Sequence, residues 1–392
     1  MLKAVLFDMD GVIIDSEPLH TKAFLDSMKQ FGLNLTEEYC NQFIGRTDQY
    51  LAEVLVQEFQ LPQSVEELLK AKKLKQLEYE RVIGYPPVPY VKDLIKDLAT
   101  NNIKLAIASS SPMNAILETA TSLGLTDYFH QYVSGMDLKH SKPAPDIFLK
   151  AASSLGVSPL ECIVIEDSTH GVAAAKAAGI TCIGYRNLNS GNQDLSKADI
   201  IVEGFDEIDT RFLIEVYQHA HNEPVTIANC EHVILRELTL NDIKPLYQIY
   251  QQQVNINYVL ELNDYETELK KHEAYIKNVY HFYHCGYWGI FDRRSDKLIG
   301  RCGIQYNEID GHTELELSYL IDSNFAGKGI AFESAKAAID YAVKRLNEHR
   351  IVAVIDSNNE RSINLALKLG MRYEKQVTYK NRTCNLYVYH YK

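Results

Sequence analysis

Two aspartates separated by one residue, Asp8 and Asp10, follow a short apolar run at the start of the sequence. Residues two apart in an extended backbone share a face, although a turn at Gly11 leaves Asp10 free to depart from that geometry. Two carboxylates this close repel each other unless a cation lies between them. Mg²⁺ is the expected cation, because it prefers oxygen ligands and bridges phosphate groups.

Three further polar segments lie at or near the carboxyl ends of predicted strands: Ser109-Ser110-Ser111, Lys142-Pro143 and Glu166-Asp167-Ser168. The apolar runs at 3–7, 104–108, 162–165, 181–184 and 200–202 are typical of strands, with helical patterns between them. This alternation predicts a parallel sheet covered by helices on both faces. The carboxyl ends of such strands form one rim, where distant segments converge on a ligand.

The residue types at this rim suit phosphoryl transfer. Asp167, with Glu166, adds negative oxygen for a metal, while Ser109 and Lys142 offer a hydroxyl and a charge for phosphoryl oxygens. A carboxylate can then attack phosphorus, and positioning and charge neutralisation do the remaining work. Each segment alone is also typical of a turn, a loop or a surface. Their joint occurrence in this order favours the catalytic interpretation.

Composition narrows the possible partners. The formal net charge of −12 argues against nucleic acid or an anionic membrane as a general partner. Seven dispersed cysteines without a CxxC pair support neither a zinc site nor a disulfide framework. The apolar start is too short for a signal peptide, and no stretch approaches the length of a transmembrane helix. We therefore predict a cytoplasmic protein.

The 392 residues are enough for two domains. A helix-rich stretch, about 18–83, interrupts the first alternating pattern and is interpreted as a helical insertion. A linker is predicted to end at Pro224, after which tyrosines become frequent and strand patterns follow one another as a meander. The predicted domains are therefore 1–220 and 225–392.

Residues 1–210 resemble the haloacid dehalogenase superfamily, especially the branch of beta-phosphoglucomutase and small sugar-phosphate phosphatases. The resemblance rests on KAVLFDMDGVIIDSEPLH, IASSSP, SKPAPDIF and VIEDSTHGVAAAKAAG. It implies a Rossmann-like α/β sheet in which segment 18–83 is a cap that closes over a small phosphorylated metabolite. It also implies that Asp8 is the nucleophile, that Asp10 is the general acid and base, and that Ser109 and Lys142 hold the phosphoryl group. The implied Mg²⁺ ligands are Asp8, Asp10, Glu166 and Asp167.

The choice between phosphatase and mutase depends on the cap. His20 and Lys75 lie where the mutase carries functional groups, and Arg46 and Ser110 are further candidates for substrate binding. However, Arg46 directly follows Gly45, whereas the mutase places its cap arginine three residues after the glycine. The Ser-Ser-Ser-Pro segment is also more similar to the phosphatases. We predict a phosphatase; the alternative is a phosphomutase with a regulatory acetyl-CoA-binding domain.

The second half contains glycines at 327 and 329 just before a predicted helix. Backbone amides there can converge on an anion such as a pyrophosphate, aided by the helix dipole, although a Gly-x-Gly is often only a tight turn. This half resembles the Gcn5-related N-acetyltransferases through ILRELTLNDI, ELSYLID, AGKGIA and NNERSINLALKLGMRYE. The resemblance implies an α+β domain with a mixed sheet that binds acetyl-CoA. The implied cofactor contacts are Leu320, Ile321, Gly327, Lys328, Gly329, Ile330, Ala331, Phe332 and Asn359.

Two positions depart from the acetyltransferase pattern. Ala326 replaces the usual Gln or Arg at the start of the phosphate loop, and Ala366 stands where a tyrosine often serves as general acid. Glu316 is a candidate general base for an amine acceptor, either a small molecule or a protein N-terminus. Glu316 could instead face solvent or pair with Arg301. The alternatives are therefore a second enzyme, or a domain that binds acetyl-CoA and regulates the first.

Overall fold

The computed structural model describes residues 1–41, 43, 48–206, 208–253, 262–280, 285–380 and 382–391. The chain forms two compact units, Met1–His221 and Asn222–Lys392. No helix in the described ranges is both long and apolar enough to cross a membrane. The predicted contact Arg46 falls outside these ranges.

The first unit contains a six-stranded parallel sheet in the order β3-β2-β1-β4-β5-β6. Its strands are β1 (Ala4–Phe7), β2 (Lys104–Ser109), β3 (Gln131–Ser134), β4 (Cys162–Glu166), β5 (Thr181–Tyr185) and β6 (Ile200–Val202). Strand β1 pairs with β2 on one side and with β4 on the other. The chain reverses its direction of winding at β1, and the adjoining crevice is where open α/β sheets bind ligands.

Nine helices accompany the described part of this unit. They are α1 (Glu17–Lys29), α2 (Glu37–Asn41), α3 (Asp48–Glu58), α4 (Val65–Val82), α5 (Val91–Thr100), α6 (Met113–Ser122), α7 (Asp146–Leu155), α8 (Thr169–Ala177) and α9 (Thr210–Ala220). Helices α1 to α4 occupy the predicted insertion and share a small core of their own, which includes Phe24, Met28 and Leu55. This segment therefore forms a helical layer distinct from the sheet.

Alternation along the central strands explains why both faces of this sheet are covered. Val5 and Phe7 of β1 belong to the core beneath α5 and α9, whereas Ala4 and Leu6 belong to the core beneath α7 and α8. All four side chains are fully buried. A strand buried on both faces is a continuous apolar run, and such runs are typical of parallel sheets between two helical layers.

The second unit contains an eight-stranded sheet in the order β13-β14-β12-β11-β10-β9-β8-β7. The strands are β7 (Thr226–Asn229), β8 (Val233–Arg236), β9 (Gly286–Asp292), β10 (Leu298–Ile309), β11 (His312–Ile321), β12 (Arg350–Asp356), β13 (Arg372–Tyr379) and β14 (Arg382–His390). The principal helices are α10 (Ile243–Tyr250), α11 (Tyr265–Tyr275), α12 (Ile330–Arg345) and α13 (Glu360–Lys368).

Strands β11 and β12 form the parallel pair of this otherwise antiparallel sheet, and they are joined at one position, Glu316 opposite Val352. Beyond that position the strands separate. On one face of β11, Leu315 and Leu317 pack against α12 through Ala338 and Ile339. Because side chains alternate along a strand, Glu316 and Ser318 point to the opposite face. The separated strands therefore open a cleft in the sheet.

The parallel α/β sheet and the mixed sheet of the second unit confirm the predicted fold class. Strands β3, β13 and β14 lie outside the predicted strands. Strand β3 is four residues long and only half apolar. Strand β13 is largely exposed, with the pattern of an edge strand. Short or exposed strands leave little hydrophobic periodicity to detect.

Candidate active sites

The first site is organised around Lys142, at the carboxyl end of the parallel sheet. Its Nζ atom lies 2.5 Å from Asp8 Oδ1 and 2.6 Å from Glu166 Oε1. Asp8 follows β1 directly, and Glu166 is the last residue of the adjacent β4. The lysine and both carboxylates are almost completely buried. Lys142 therefore links two neighbouring strand ends by charge.

Asp8, Glu166 and Asp167 each place a carboxylate oxygen within 4.8 Å of the others. When all three are ionised, these carboxylates against one ammonium leave an excess of two negative charges in a buried space. Burial raises the pKa of Asp167 to about 7, and the neighbouring Glu166 carboxylate adds to the rise. Burial alone would lower the pKa of Lys142, but Asp8 and Glu166 together raise it, so the ammonium stays charged. A divalent cation with oxygen ligands fits this donor set and this charge.

Two glycines allow the carboxylates to approach the backbone closely. A Cβ atom on Gly171 would lie 1.6 Å from Glu166 Oε1, and one on Gly11 would lie 1.9 Å from Asp167 Oδ2. Gly11 also has a φ of +83°, in the left-handed region that favours glycine. Neither position accommodates a larger residue unless a carboxylate moves.

The Asp10 side chain lies outside this carboxylate cluster. Its Oδ2 atom accepts hydrogen bonds from the hydroxyls of Ser109, at 3.2 Å, and Ser111, at 2.9 Å. Ser110, predicted to bind substrate, is exposed. The sequence interpretation missed Ser111, although a side-chain period of two past the end of β2 places residues 109 and 111 on one side. Two hydroxyl donors fix the Asp10 carboxylate beside Asp8.

The loop after β5 also contributes, and the sequence interpretation did not include it. Ser190 donates a hydrogen bond to Asp167 Oδ2. Asn187 donates to the carbonyl oxygen of Gly11 at 2.9 Å, and Asn189 donates to Asp15 at 2.6 Å. The loop therefore stabilises the turn that carries Asp8 and Asp10. Its position at a strand's carboxyl end is the signal that could have identified it.

The helical insertion presents polar groups toward Asp10. His20 of α1 lies 3.0 Å from the Tyr85 hydroxyl and 3.0 Å from Gln76 Nε2. Burial lowers the pKa of His20, Lys72 lowers it further, and the Asp10 charge opposes the change. Lys72 of α4 forms a salt bridge of 2.5 Å with Asp48. The predicted substrate-binding residue His20 therefore lies among polar groups of the helical insertion.

Lys75, the other predicted cap residue, has different neighbours. Its ammonium lies 2.8 Å from Glu78 and 5.0 Å from the centre of the Tyr79 ring. One turn earlier on α4, Lys72 is the lysine whose charge acts on His20 and Glu17. Sequence spacing alone does not distinguish two lysines three residues apart on a cap helix.

The second unit contains a cavity of about 470 Å³ beside the cleft between β11 and β12. Glu316 lines it and is buried. Its Oε2 atom accepts hydrogen bonds from Asn307 Nδ2 at 2.7 Å and from the Tyr379 hydroxyl at 3.0 Å. Burial raises the pKa of Glu316, while the hydrogen bond from Tyr379 opposes the rise. Tyr379, on edge strand β13, was not identified from the sequence.

The predicted phosphate loop precedes α12. Gly327 and Gly329 have φ values of +77° and +82°, and Gly329 caps the helix that begins at Ile330. A Cβ atom at either glycine would meet no other atom within 4 Å, so backbone conformation rather than space favours glycine there. Such a turn directs backbone N–H groups toward the space in front of the helix N-terminus, as a pyrophosphate site requires.

The other predicted cofactor contacts lie around the cleft. Leu320 and Ile321 are on β11 beyond its single pairing with β12. Asn359 lines the cavity and caps α13 by accepting a hydrogen bond from the Ser362 amide at 3.2 Å. Phe332 packs at the edge of the core, 4.8 Å from the Lys368 ammonium. The separated strands β11 and β12, the glycine turn and the N-terminus of α12 together fit an extended pantetheine arm that ends in a pyrophosphate.

Comparison with known proteins agrees with both architectures. The profile of the haloacid dehalogenase-like hydrolases matches residues 5–185, and that of the GNAT acetyltransferase domain matches residues 232–372. A phosphorylated carbohydrates phosphatase of Thermotoga maritima is 35% identical over 181 residues, 46% of this chain and 82% of that protein. A fructose-1-phosphate phosphatase of Escherichia coli is 32% identical over 47% of this chain and 96% of its own length.

The beta-phosphoglucomutase of Bacillus subtilis is also similar, at 30% identity over 55% of this chain and 96% of that enzyme. Relatives that align over most of their length identify the family of the first unit. Through that unit the chain belongs to the haloacid dehalogenase-like hydrolases, and its second unit carries a GNAT acetyltransferase domain.

Proposed function

We propose that the first unit is a Mg²⁺-dependent phosphatase of small sugar phosphates that acts through an aspartyl-phosphate on Asp8. The observation that carries the proposal is the buried cluster of Asp8, Glu166 and Asp167, with its excess of two negative charges around Lys142. The relatives named as phosphatases of phosphorylated carbohydrates and of fructose 1-phosphate support this substrate class.

In this mechanism the Asp8 carboxylate attacks phosphorus, and the bond from phosphorus to the sugar oxygen breaks. Asp10, held by Ser109 and Ser111, donates a proton to the leaving oxygen. It then removes a proton from water, which attacks the phosphoryl group and frees Asp8 and phosphate. Lys142 neutralises charge on the phosphoryl oxygens, and Mg²⁺ would supply further positive charge when bound. Asp8, Glu166, Asp167 and the Asp10 carbonyl would hold the metal.

A phosphomutase remains the second candidate for this unit, because the beta-phosphoglucomutase of Bacillus subtilis aligns over almost its whole length. The two activities differ in the acceptor of the phosphoryl group, which is water in one case and a second sugar hydroxyl in the other. Incubation with a sugar 1-phosphate and Mg²⁺ distinguishes them. The phosphatase releases inorganic phosphate, whereas the mutase yields the isomeric sugar phosphate.

For the second unit we propose acetyl-CoA-dependent N-acetylation of an amine, with Glu316 as general base. Bound acetyl-CoA would supply the thioester, whose C–S bond breaks as the new C–N bond forms. Glu316 accepts a proton from the amine, and the departing thiolate takes up a proton. Burial of Glu316 at the cavity floor supports this role, because a raised pKa brings a carboxylate closer to neutral pH. Leu320 and Ile321 would hold the pantetheine arm through their backbone, and the 327–332 amides would hold the pyrophosphate.

We expect Asp8→Asn to lower phosphate release by about 10³-fold or more, because an amide cannot form the aspartyl-phosphate. The measurement is phosphate release from a panel of sugar phosphates at saturating Mg²⁺. Acetyl-CoA binding by the same variant, which is a property of the second unit, should equal that of wild type. Phosphate release at the wild-type rate would contradict the nucleophile assignment.

We expect Gly171→Ala to raise the Mg²⁺ concentration for half-maximal phosphate release by about 10-fold to 100-fold. The added Cβ overlaps Glu166 Oε1 and displaces that carboxylate. Alanine is also the better helix former, so loss of helix stability does not account for the effect. The neighbouring exposed His170→Ala is the matched control. Equal Mg²⁺ requirements in both variants would refute the assignment of Glu166 to the metal site.

Glu316→Gln should abolish acetyl transfer to an amine panel while acetyl-CoA binding persists, because glutamine cannot accept the amine proton. Thiol release and calorimetric binding provide the two readouts. Undiminished turnover would exclude Glu316 as the base. Absence of turnover in wild type, with binding intact, would favour a regulatory acetyl-CoA-binding domain.

Tyr379→Phe should move the acidic limb of the acetyl-transfer pH profile to higher pH. Glu316 acts as a base only when ionised, so activity falls as pH drops through its pKa. The Tyr379 hydroxyl stabilises the ionised form, and its removal raises the pKa of Glu316 further. The measurement is kcat/KM against pH for both proteins. A limb that stays in place or moves to lower pH would contradict the role of this hydrogen bond.

A further inference from the structure

The cavity of the second unit contains an arginine without an anionic partner. Arg301, on β10, is in no ion pair among the described residues, and its buried Nε atom has no hydrogen-bond partner there. Its guanidinium lies 4.2 Å from the ring centre of Tyr287 and 5.6 Å from that of Tyr250. Burial alone would lower the pKa of Arg301, but the neighbouring tyrosine side chains raise it, so the guanidinium stays charged. The aromatic rings hold the cation in place without neutralising it.

The acidic side chains that line the cavity are engaged by other groups. Glu268 accepts a hydrogen bond from Asn263 Nδ2 at 2.8 Å, and Asp356 accepts one from the Asn358 amide at 2.8 Å. Glu316 is bonded to Asn307 and Tyr379, so the possible pairing with Arg301 does not occur.

A second orphaned polar atom lies on the same cavity. The Nε2 atom of His272 is buried and has no hydrogen-bond partner among the described residues. His272 stacks on Tyr275 with ring centres 5.9 Å apart. Burial lowers the pKa of His272 to about 4, so the imidazole is neutral near pH 7. The Tyr319 hydroxyl is a third such atom on this cavity. Buried polar groups are rarely left unpaired in native proteins, and three of them on one cavity indicate a polar ligand.

The strand register places Arg301 and Glu316 on the same face of the sheet, which forms the floor of the cavity. Arg301 pairs with Leu320, and Glu316 pairs with Gln305 four residues further along β10. The intervening pair on this face is Gly303 with Ser318, whose small side chains leave the floor open. Arg301 stacks on Tyr287, whose own partner on β10 is Gly303, so its side chain reaches toward Glu316. The remaining separation is about two residues of strand, or about 7 Å.

We propose that Arg301 binds the carboxylate of the acetyl acceptor, so that this acceptor is a small amino acid whose amine lies at Glu316. This inference rests on the acetyl-transfer function proposed above. A guanidinium donates two parallel N–H bonds to a carboxylate, and the Nε atom is one of the donors suited to that geometry. A singly charged carboxylate fits better than a phosphate, because the four cations that line the cavity exceed its three carboxylates by only one charge; the cations are Lys271, Arg301, Lys380 and Arg382, and the carboxylates are Glu268, Glu316 and Asp356.

The test compares acceptors that differ only in charge. The full-length protein with acetyl-CoA is assayed on glycine, β-alanine, 4-aminobutyrate and lysine, each paired with its carboxamide, and on ethanolamine phosphate. We expect kcat/KM for the best amino acid to exceed that of its amide by about 100-fold, because the amide leaves Arg301 unpaired. Equal rates for the two, or preference for the phosphate, would overturn the proposal.

Variants then show which residue causes the preference for the amino acid over its amide. Arg301→Gln should reduce the acid-to-amide ratio to near one, and Arg301→Lys should restore only part of it, because lysine lacks the planar fork. Lys380→Gln, which removes an exposed cation from the cavity wall, should keep the preference. An Arg301→Gln variant that retained the wild-type ratio would refute the assignment. The wild-type comparison stands even where Arg301→Gln fails to fold.

Calorimetry separates this proposal from the proposed function. Amino acids that bind the CoA-loaded protein more tightly than their amides, without any turnover, would support Arg301 and overturn acetyl transfer. Turnover of amides and amino acids at equal rates would support acetyl transfer and overturn the role of Arg301.

Discussion

The first unit depends on one buried ammonium. Lys142 is the cation that allows Asp8 and Glu166 to lie side by side at the ends of adjacent strands. Removing one partner from such a buried group leaves an uncompensated charge, typically at a cost of about 3–5 kcal/mol. One positive charge is still too few for three carboxylates. The parallel sheet, the glycines at 11 and 171 and the loop after β5 all hold these carboxylates together, and their oxygens are ligands of the kind that a divalent cation takes.

The sequence predicted the parts of this site that local pattern determines. Short apolar runs located the ends of β1, β2 and β4, and the polar residues there were Asp8, Ser109 and Glu166. Lys142 lies in the loop beyond β3, a strand that no predicted run covered. The sequence could not predict which of several similar residues turns inward. Ser111 rather than exposed Ser110 contacts Asp10, and Lys72 rather than Lys75 acts on His20. That choice depends on the side-chain direction set by the loop and by helix packing, and a one-residue shift reverses it.

The second unit shows the same limit at longer range. Gly327 and Gly329 could be predicted, because their turn and the following helix are contiguous in sequence. Tyr379 could not, since its contact with Glu316 joins residues 63 apart through the pairing of an exposed edge strand. The aromatic surroundings of Arg301 likewise combine α10, β9 and β10, so only tertiary structure brings them together.

Both sites therefore carry a buried charge that the chain does not balance, and the signs are opposite. In the first unit the excess of carboxylates fits the proposed cation, which would in turn bind the phosphate of the substrate. In the second unit the guanidinium of Arg301 has no anionic partner. We proposed that it binds the acceptor's carboxylate, while Glu316 accepts a proton from the acceptor's amine. Burying an unpaired charge costs folding free energy, and a neutral replacement of similar shape would avoid that cost. Charges of this kind are best explained by ligands that complete them, so the sign of each imbalance states the charge of what each site binds.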